Sequence, residues 1–474
     1  MLSSDSKEDQ LLELVEEAIS AHLIQEKEGA VDRYQFSHAV VQQTLAEELT
    51  NSRTVRLHAR IAEALETIYG ALSDHVEELA HHFTQAAPLL GLEKMVKYVT
   101  LAGEHALITH AYDDALGYFQ RGLAAKEVDL DNKSGPIDGE AAALLFGLGK
   151  AQLASRHRRD AISNISRAFD YYSSMRDVTR AVAIAEYPFS PGIGRVRVTP
   201  LIARALDLVD ADSRDAGRLL ARYGLALSSE IGDHAAAKDA FDRSLAIARA
   251  EGDAEMETQS LIAAAQDDLF NVRMDDGLSK CDRAIDLARR SGNQLAEAQS
   301  RLFAGYILIC QGKPEESDYH ARNCLNLAET IRDQTLLSGA LFINMSVQAY
   351  LGNSDKVRQF ANRGLGVSPT DPRSLALLAG LEFETGNFEK GNAHLLRLVE
   401  AARSGSPGPT FENVMLAVTA PAAARAMGSS EFLELGQEAG EAVTASPFAI
   451  PMFQYWARTG LAMTAMLRKD REAS

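Results

Sequence analysis

Small and apolar side chains recur every forty residues through the middle of this chain. Ala237, Gly277, Ser317 and Val357 each open a helical stretch. Eight positions after each of these residues stands an apolar residue: Leu245, Ile285, Leu325 and Leu365. Five positions before each of them stands a turn residue: Gly232, Val272, Gly312 and Gly352. A fixed period of this length is typical of stacked helical hairpins. The pattern therefore predicts an all-α protein built as an α-solenoid.

The repeat also fits the tetratricopeptide pattern. That pattern places a Gly in the first helix of a pair, a small residue opening the second, then an apolar residue and another small one. Four sets match it in whole or in part: Gly103, Ala115, Phe119 and Gly122; Gly149, Ala161, Ile165 and Ala168; Gly305, Ser317, Ala321 and Cys324; Val357, Ala361, Gly364 and Pro369. Small residues are expected where the paired helices approach closely. Glycines at 232, 312, 352 and 386 are expected to end helices in the left-handed conformation.

The opening residues also set the domain organisation. They stand at positions 115, 161, 237, 277, 317, 357 and 391, and the widest gap holds a degenerate helix pair, Val178 to Tyr187 and Pro200 to Val209, separated by "PFSPGIGRVRV". This gives about eight repeats. We expect a winged-helix remnant with its linker helix at 1–70, a tetratricopeptide-like array at 71–402, and helices at 411–468 that continue or cap the array.

The start of the chain departs from the repeat. Leu11 to Leu23 is amphipathic, and two short apolar or aromatic pieces flank Lys27, Glu28 and Gly29, which predicts a hairpin. A further helix is expected after Ser37. Helix, hairpin and helix in this order are typical of the tail of a winged-helix unit.

At these residues the chain resembles a known class. The strings "RYQFSHAVVQQTLAEELTNSRTVRLHARIAEALE", "HVEELAHHFTQAA" and "AYDDALGYFQRGLAA" are similar to the junction found in signal-transduction ATPases of the STAND class. That class includes MalT-like and LuxR-type transcription regulators and relatives fused to nucleotide cyclases. The resemblance covers roughly residues 8 to 125. It implies a winged helix that acts as a structural linker, followed by a tetratricopeptide-like array.

Two parts of that class have no counterpart in this sequence. A phosphate-binding loop needs the spacing GxxxxGK[ST]. In the nearest candidate, around Gly149 and Lys150, Leu144 replaces the first Gly and Ala151 replaces the hydroxyl residue. The last residues, "LAMTAMLRKDREAS", do not form a basic helix-turn-helix. Nucleotide hydrolysis and direct DNA binding are therefore not expected of this chain.

Composition supports the same exclusions. The formal net charge of -18 disfavours a phosphate-binding surface, because nucleic-acid affinity depends largely on Lys and Arg. Cys281, Cys310 and Cys324 lie in apolar helical stretches without a CxxC pair. The polar, acidic start is not a signal peptide, and the longest apolar run, Leu302 to Cys310, is too short for a bilayer. We expect a cytoplasmic protein with no membrane or nucleic-acid partner.

Histidines raise a metal hypothesis, because most of them lie early in the chain, including His75, His81 and His82. His81 and His82 are adjacent and are expected to point to different faces of a helix, with no Cys or carboxylate pair completing a ligand set. Packing between helices is the simpler role. No metal site, cofactor or catalytic residue is predicted, since no GxSxG, HExxH or Cys–His signature is present.

The forty-residue register also locates a candidate binding surface. It superposes Ala226, Gln266, Tyr306 and Ser346 on one stripe of the first helices, and Glu230, Phe270, Cys310 and Tyr350 on the next. We predict that Gln266, Phe270, Tyr306 and Tyr350 line a concave groove that binds a protein, a peptide or a small-molecule inducer. The alternative, which the sequence leaves open, is that these aromatic residues pack between neighbouring helices.

Three functional hypotheses follow. The first is a non-catalytic regulatory scaffold, the sensor region of a STAND-type signalling or transcription regulator. The second is a fragment of a larger ATP-dependent LuxR-type regulator or nucleotide cyclase, whose chemistry would reside outside this chain. The third, a stand-alone enzyme, has the least support, because no catalytic residues converge in the sequence.

Overall fold

The computed structural model describes residues 8–26, 34–70, 73–130, 138–155, 157–187, 198–404, 408–446 and 449–472. The chain divides into two compact units, Met1–Met175 and Arg176–Ser474. In the described residues the structure is almost wholly helical, with a single two-stranded sheet. The predicted all-α, tetratricopeptide-like fold of helical hairpins is confirmed.

The first unit begins with the predicted helix, hairpin and helix. These are α1 (Glu8–Ser20), β1 (Ile24–Glu26), β2 (Tyr34–Phe36) and α2 (Ala39–Glu47). The strands are antiparallel, with Ile24 opposite Phe36. The predicted turn at Lys27, Glu28 and Gly29 lies outside the described residues. Six helices follow: α3 (Asn51–Tyr69), α4 (Val76–Leu90), α5 (Glu93–Ile108), α6 (Tyr112–Ala125), α7 (Gly139–Ala154) and α8 (Arg158–Ser174).

The second unit begins with the short pair that the sequence predicts as a degenerate repeat, α9 (Val178–Ala185) and α10 (Thr199–Leu206). Most of the segment between them lies outside the described residues. Full-length hairpins follow: α11 (Arg214–Ala226), α12 (His234–Ala250), α13 (Ala254–Phe270), α14 (Met274–Ser291), α15 (Gln294–Cys310), α16 (Pro314–Ile331), α17 (Gln334–Tyr350), α18 (Ser354–Val367), α19 (Pro372–Glu384) and α20 (Phe388–Ser404). Three more helices end the unit: α21 (Phe411–Met427), α22 (Ser430–Thr444) and α23 (Pro451–Glu472).

The opening residues of the sequence pattern occupy one structural position. Each is the fourth residue of the second helix in its hairpin and is buried against the first helix: Ala115, Ala161, Ala237, Gly277, Ser317, Val357 and Gly391. Glycines on the facing helices allow this close approach. A Cβ added at Gly103 would lie 2.7 Å from the Phe119 ring, and one added at Gly224 would lie 2.7 Å from the Phe241 ring. Small residues are therefore required by contact between helices.

The turns inside the hairpins follow the same register. Gly232, Gly312, Gly352 and Gly386 have positive φ angles between 72° and 81°, as predicted. Val272 stands at the equivalent position and has a φ of 62°. Because a Cβ in the left-handed region crowds the backbone, this valine is strained where the other repeats have glycine.

The connections between hairpins carry a second register that the sequence analysis did not identify. Asp253, Asn293 and Asp333 each cap the following helix. Their side chains accept hydrogen bonds from the backbone N–H groups of Met256, Ala296 and Leu336, at 2.9, 3.0 and 2.8 Å. Each cap satisfies a donor that the helix itself leaves unpaired.

The last three helices of the second unit pack on an earlier repeat as well as on each other. Their buried core includes Val414, Leu433 and Phe453, and Phe270 at the end of α13 packs against it. The rings of Phe270 and Phe453 meet edge to face, with centroids 6.3 Å apart. The start of α23 therefore lies against the C-terminal end of α13, although nine helices, α14 to α22, separate them along the chain.

Candidate functional site

The first helices of the central repeats are buried on most of their surface and expose one narrow stripe. On α13 the stripe passes through Gln259 and Gln266, and on α15 it passes through Gln299 and Tyr306. Gln266 and Tyr306 belong to the stripe that the sequence predicts, whereas Ala226 and Ser346 of the same predicted stripe are buried. The flanking residues are buried because each inner helix packs against its own partner and against neighbouring repeats. The stripe is the part of these helices that remains available to another molecule.

Tyr306 is held in place by a residue two repeats further along. Its hydroxyl accepts a hydrogen bond from Arg373 Nη1, at 3.2 Å, and lies 3.5 Å from the carbonyl oxygen of Gly339. The phenol ring lies beside Phe342 with a centroid distance of 5.9 Å, and the Arg373 guanidinium lies over the same Phe342 ring at 4.9 Å. Burial raises the pKa of Tyr306 to about 12, so the phenol is neutral at physiological pH.

Arg373 is in turn fixed by a buried carboxylate at the start of α19. Its Nε and Nη2 atoms donate to the two oxygens of Asp371, at 3.0 and 3.1 Å. Burial alone would raise the pKa of Asp371, but the guanidinium outweighs burial and holds that pKa below its usual range. Because it is paired bidentately and mostly buried, Arg373 serves to orient Tyr306 rather than as an unpaired cation for a ligand.

Phe270 lies next to a small cleft between α11, α13 and the start of α23. The cleft has a volume of about 240 Å³ and is lined by Leu225, Ser228, Ser229, Asp267, Phe270, Asn271, Ile450 and Pro451. Asn271 donates its amide N–H groups to Ser228 Oγ, at 3.0 Å, and to Asp267. Its Oδ1 atom is buried without a hydrogen-bond partner in the described structure. The cleft therefore has an apolar wall, and Asn271, whose Oδ1 acceptor is buried and unpaired, is one of its lining residues.

The four residues predicted for the groove do not form one cluster. Gln266 and Tyr306 lie on the half-buried stripe, while Phe270 packs against Phe453 and the C-terminal core. Tyr350 is 63% exposed at the end of α17. Packing between helices, one of the two sequence-based hypotheses, describes Phe270 and Tyr306, which contact neighbouring side chains. Tyr350 is largely exposed, as the groove hypothesis requires. Whether the four residues bind a partner stays a prediction.

Sequence reasoning missed Phe342, Asp371, Arg373 and Asn271. Phe342 lies one helical turn before Ser346 on the same stripe, so extending the register by a turn would have found it. Asp371 caps α19 and Arg373 lies in its first turn, outside the strict forty-residue spacing, and no signal in the sequence connects them with Tyr306.

The first unit contains a different cluster of polar side chains. In the described residues, His58 of α3 and His81 and His82 of α4 have ring nitrogens that all lie within 4.8 Å of one another. His58 Nδ1 and His82 Nδ1 are 2.8 Å apart. Burial, together with the neighbouring His58 and His81 rings, lowers the pKa of His82 to about 4, and burial together with His81 lowers the pKa of His58. The expectation that His81 and His82 point to different faces is thus wrong for their ring nitrogens.

Comparisons with known proteins concern the architecture. No protein-family model matches the chain, and no curated protein matches its sequence. Among solved structures, NprR in complex with its cognate peptide NprX is 12% identical, with a TM-score of 0.43, over 88% of this chain and 100% of that one. Aspartyl phosphate phosphatase F from Bacillus subtilis is 13% identical, with a TM-score of 0.41, over 76% of this chain and 87% of that one.

A third similar structure comes from the class that the sequence resembles. It is the STAND protein with a tetratricopeptide repeat sensor, PH0952 from Pyrococcus horikoshii, which is 14% identical with a TM-score of 0.41. The match covers 93% of this chain and 58% of that protein, so the chain spans little more than half its length. At these identities the likeness concerns the helical-repeat fold alone. Among the described helices, none combines the length and the hydrophobicity that a bilayer crossing requires.

Proposed function

We propose that this protein is a non-catalytic regulatory scaffold that binds a protein or peptide segment along the inner stripe of its second unit. The observation that carries the proposal is Tyr306, a partly exposed residue of the stripe that Arg373 and Phe342 hold in one orientation. An orienting network of this kind lowers the entropy lost on binding, because the contact residue is already fixed. Aromatic residues so placed are typical binding hot spots.

A peptide fits this surface better than a small-molecule inducer does. The cleft beside Phe270 is small: its volume of about 240 Å³ includes open solvent, and its enclosed part holds little more than one water molecule. Pockets for drug-sized ligands instead bury most of the ligand's surface. The stripe continues past the cleft across α13 and α15 and narrows on α17, where Phe342 is partly exposed and Ser346 is buried. Its polar residues include Gln259, Gln266 and Gln299. An extended segment could place one side chain in the cleft while its backbone pairs with these amides.

The regulatory step would be a change in the curvature of the array. Each hairpin contacts mainly its neighbours, so a segment that bridges several inner helices favours one curvature over others. The proposed role is that of the sensor region of a STAND-type signalling or transcription regulator in the cytoplasm. This proposal extends the resemblance of residues 8 to 125 to the function of the array.

A displayed random-peptide library selected on the purified full chain would test the proposal. Binding of the selected peptides is then measured for Tyr350→Ala and Gln266→Ala. Tyr350 is exposed, so its removal should not alter the melting temperature. We expect each substitution to weaken binding by about tenfold, the effect of losing roughly 1.4 kcal/mol at a hot spot.

The matched control is Leu396→Ala, which removes an exposed apolar side chain from the outer helix α20. Peptide binding should be unchanged in this variant. Tyr306→Phe is preferable to Tyr306→Ala, because it removes the hydroxyl that bonds Arg373 and keeps the packed ring. Peptides that bind all of these variants as tightly as the original protein would place the binding surface elsewhere.

A second candidate function is supported by the helix, hairpin and helix at the start of the described chain. We propose as the alternative that the chain is a portion of a larger ATP-dependent LuxR-type regulator or cyclase-linked ATPase, with the winged-helix remnant as its linker. The genomic reading frame upstream of Met1 distinguishes the two candidates. An in-frame Gly-rich loop with the spacing GxxxxGK[ST] supports the alternative, and its absence supports the isolated scaffold.

A further inference from the structure

The histidine cluster between α3 and α4 has the form of a ligand set. His58 lies on α3 next to the buried residue Ala59, and His82 lies on α4 next to the buried residue Phe83. The three imidazole rings form a nearly regular triangle, with centroid distances of 5.5 Å for His58–His81, 4.9 Å for His58–His82 and 5.1 Å for His81–His82. Two helices that are already packed together thus present three imidazoles to one point.

The separations of the ring nitrogens suit a small divalent ion. Zinc binds imidazole nitrogen at about 2.0–2.1 Å, so two nitrogens of a tetrahedral site lie about 3.3 Å apart. Here the nitrogen pairs range from 2.8 Å for His58 and His82 to at most 4.8 Å within the cluster. Small side-chain rotations within an existing helix pair would equalise these distances.

The chemical state of the cluster also suits a metal. The Nδ1 atoms of His58 and His82 lie 2.8 Å apart, and which ring donates depends on the tautomer. With both ring protons on Nε2, both Nδ1 lone pairs are free in neutral rings, which is the form that binds metals. Glu78 lies one turn before His82, and its negative charge favours a cation there.

We propose that His58, His81 and His82 form a binding site for Zn²⁺, with a fourth position open to water. Imidazole nitrogen is a common zinc ligand, and three protein ligands with one open position form a familiar zinc arrangement. His81 is exposed and His58 and His82 are half-buried, so solvent can supply the ion and the fourth ligand. Bound metal would join α3 to α4 and stabilise the first unit, independently of any peptide bound to the second.

Zinc titration of the full chain, stripped of metal with EDTA and followed by calorimetry, tests the proposal. We expect saturable binding of one Zn²⁺ per chain and a rise in the melting temperature on its addition. The single substitutions His58→Ala, His81→Ala and His82→Ala should each weaken binding by more than about tenfold, because each removes a ligand. Cobalt gives a second readout, since a tetrahedral site produces a visible ligand-field spectrum that these variants should lose.

His234→Ala is the matched control, because it removes an exposed histidine from the second unit. Its zinc affinity should equal that of the original protein. His81→Ala removes an exposed side chain and is the decisive variant if the other two substitutions disturb folding. The proposal is overturned if the original protein shows no saturable zinc binding, or if His81→Ala binds zinc and gives the cobalt spectrum unchanged.

Discussion

Val272 is a valine at a turn position where the other repeats have glycine. It ends α13 with a φ of 62°, at the position where three other repeats in the same register place glycine. A left-handed conformation costs a residue with a Cβ about 1–2 kcal/mol, and β-branching makes such a residue a true outlier. Its side chain is half-exposed, so packing offers little compensation. The strain is therefore a local loss of stability.

Replacing Val272 by glycine should stabilise the second unit. The gain from relieved strain exceeds the greater entropy of glycine in the unfolded chain, and we expect a net increase of about 0.5–1 kcal/mol in the free energy of unfolding. Urea unfolding can be followed through the fluorescence of Trp456, the single tryptophan of the chain, which packs against the C-terminal core of this unit. Val272→Ala keeps the Cβ and serves as the control. If both variants unfold at the same urea concentration, strain at this position is not the cause.

His320 links the stability of the second unit to pH. Burial and the nearby guanidinium groups of Arg301 and Arg289 lower the pKa of His320 to about 4, and its Nδ1 atom is buried without a partner in the described structure. In the unfolded chain the pKa is about 6.5, so between these values the unfolded state binds more protons. Stability is therefore complete above about pH 6.5 and falls as the pH decreases towards 4.

The substitution His320→Gln should reduce this dependence on pH. Between pH 7 and pH 5 the original protein should lose on the order of 1 kcal/mol more stability than the variant, after allowance for solvent screening. Urea unfolding in EDTA at both pH values, read through Trp456, measures the difference. His234→Gln, at an exposed position on α12, should behave like the original protein. An equal loss in all three proteins would show that other groups cause the effect.

At the scale of helices, the sequence predicts where the hairpins lie and misses the contacts that depend on how the packed helices are aligned. The opening residues and turn glycines locate the hairpins, because each such residue acts between two helices that are adjacent in the chain. His58 could not be linked to His81 and His82 from the sequence, because their meeting depends on the register in which α3 packs on α4. The contact between Tyr306 and Arg373 was missed for a similar reason, since it passes over the intervening repeat.

At the scale of the whole second unit, the contact of α23 with α13 has no counterpart in the repeat pattern. The repeat pattern describes contacts between neighbouring hairpins, whereas Phe453 contacts Phe270 across the nine helices that separate α13 from α23. Phe453 also packs edge to face on Phe411, with centroids 4.7 Å apart, and is almost fully buried. The repeat array is thus packed against the C-terminal helices of the same unit.

A double-mutant cycle on Phe270 and Phe453 would measure the interaction energy of this contact. Phe453→Ala alone should destabilise the unit by about 3–5 kcal/mol, because it leaves a cavity in the core. The two alanine substitutions together should cost less than the sum of the single costs, with a coupling energy of about 0.5–1.5 kcal/mol. Unfolding in urea, followed by circular dichroism, gives the four free energies. Phe241 belongs to a separate core cluster, so a cycle between Phe241→Ala and Phe453→Ala should be additive.

The contact between Phe270 and Phe453 also fixes the number of repeats between α13 and α23. In an open solenoid, one hairpin more or fewer changes the length and leaves every remaining contact in place. Here the repeats from α13 to α20, followed by α21 and α22, must bring the start of α23 back to the end of α13. An inserted or deleted hairpin would carry Phe453 away from Phe270 and break the contact between the two rings. Evolution of this chain by repeat duplication is therefore constrained between these two phenylalanines, and the repeat number there is a property of the fold.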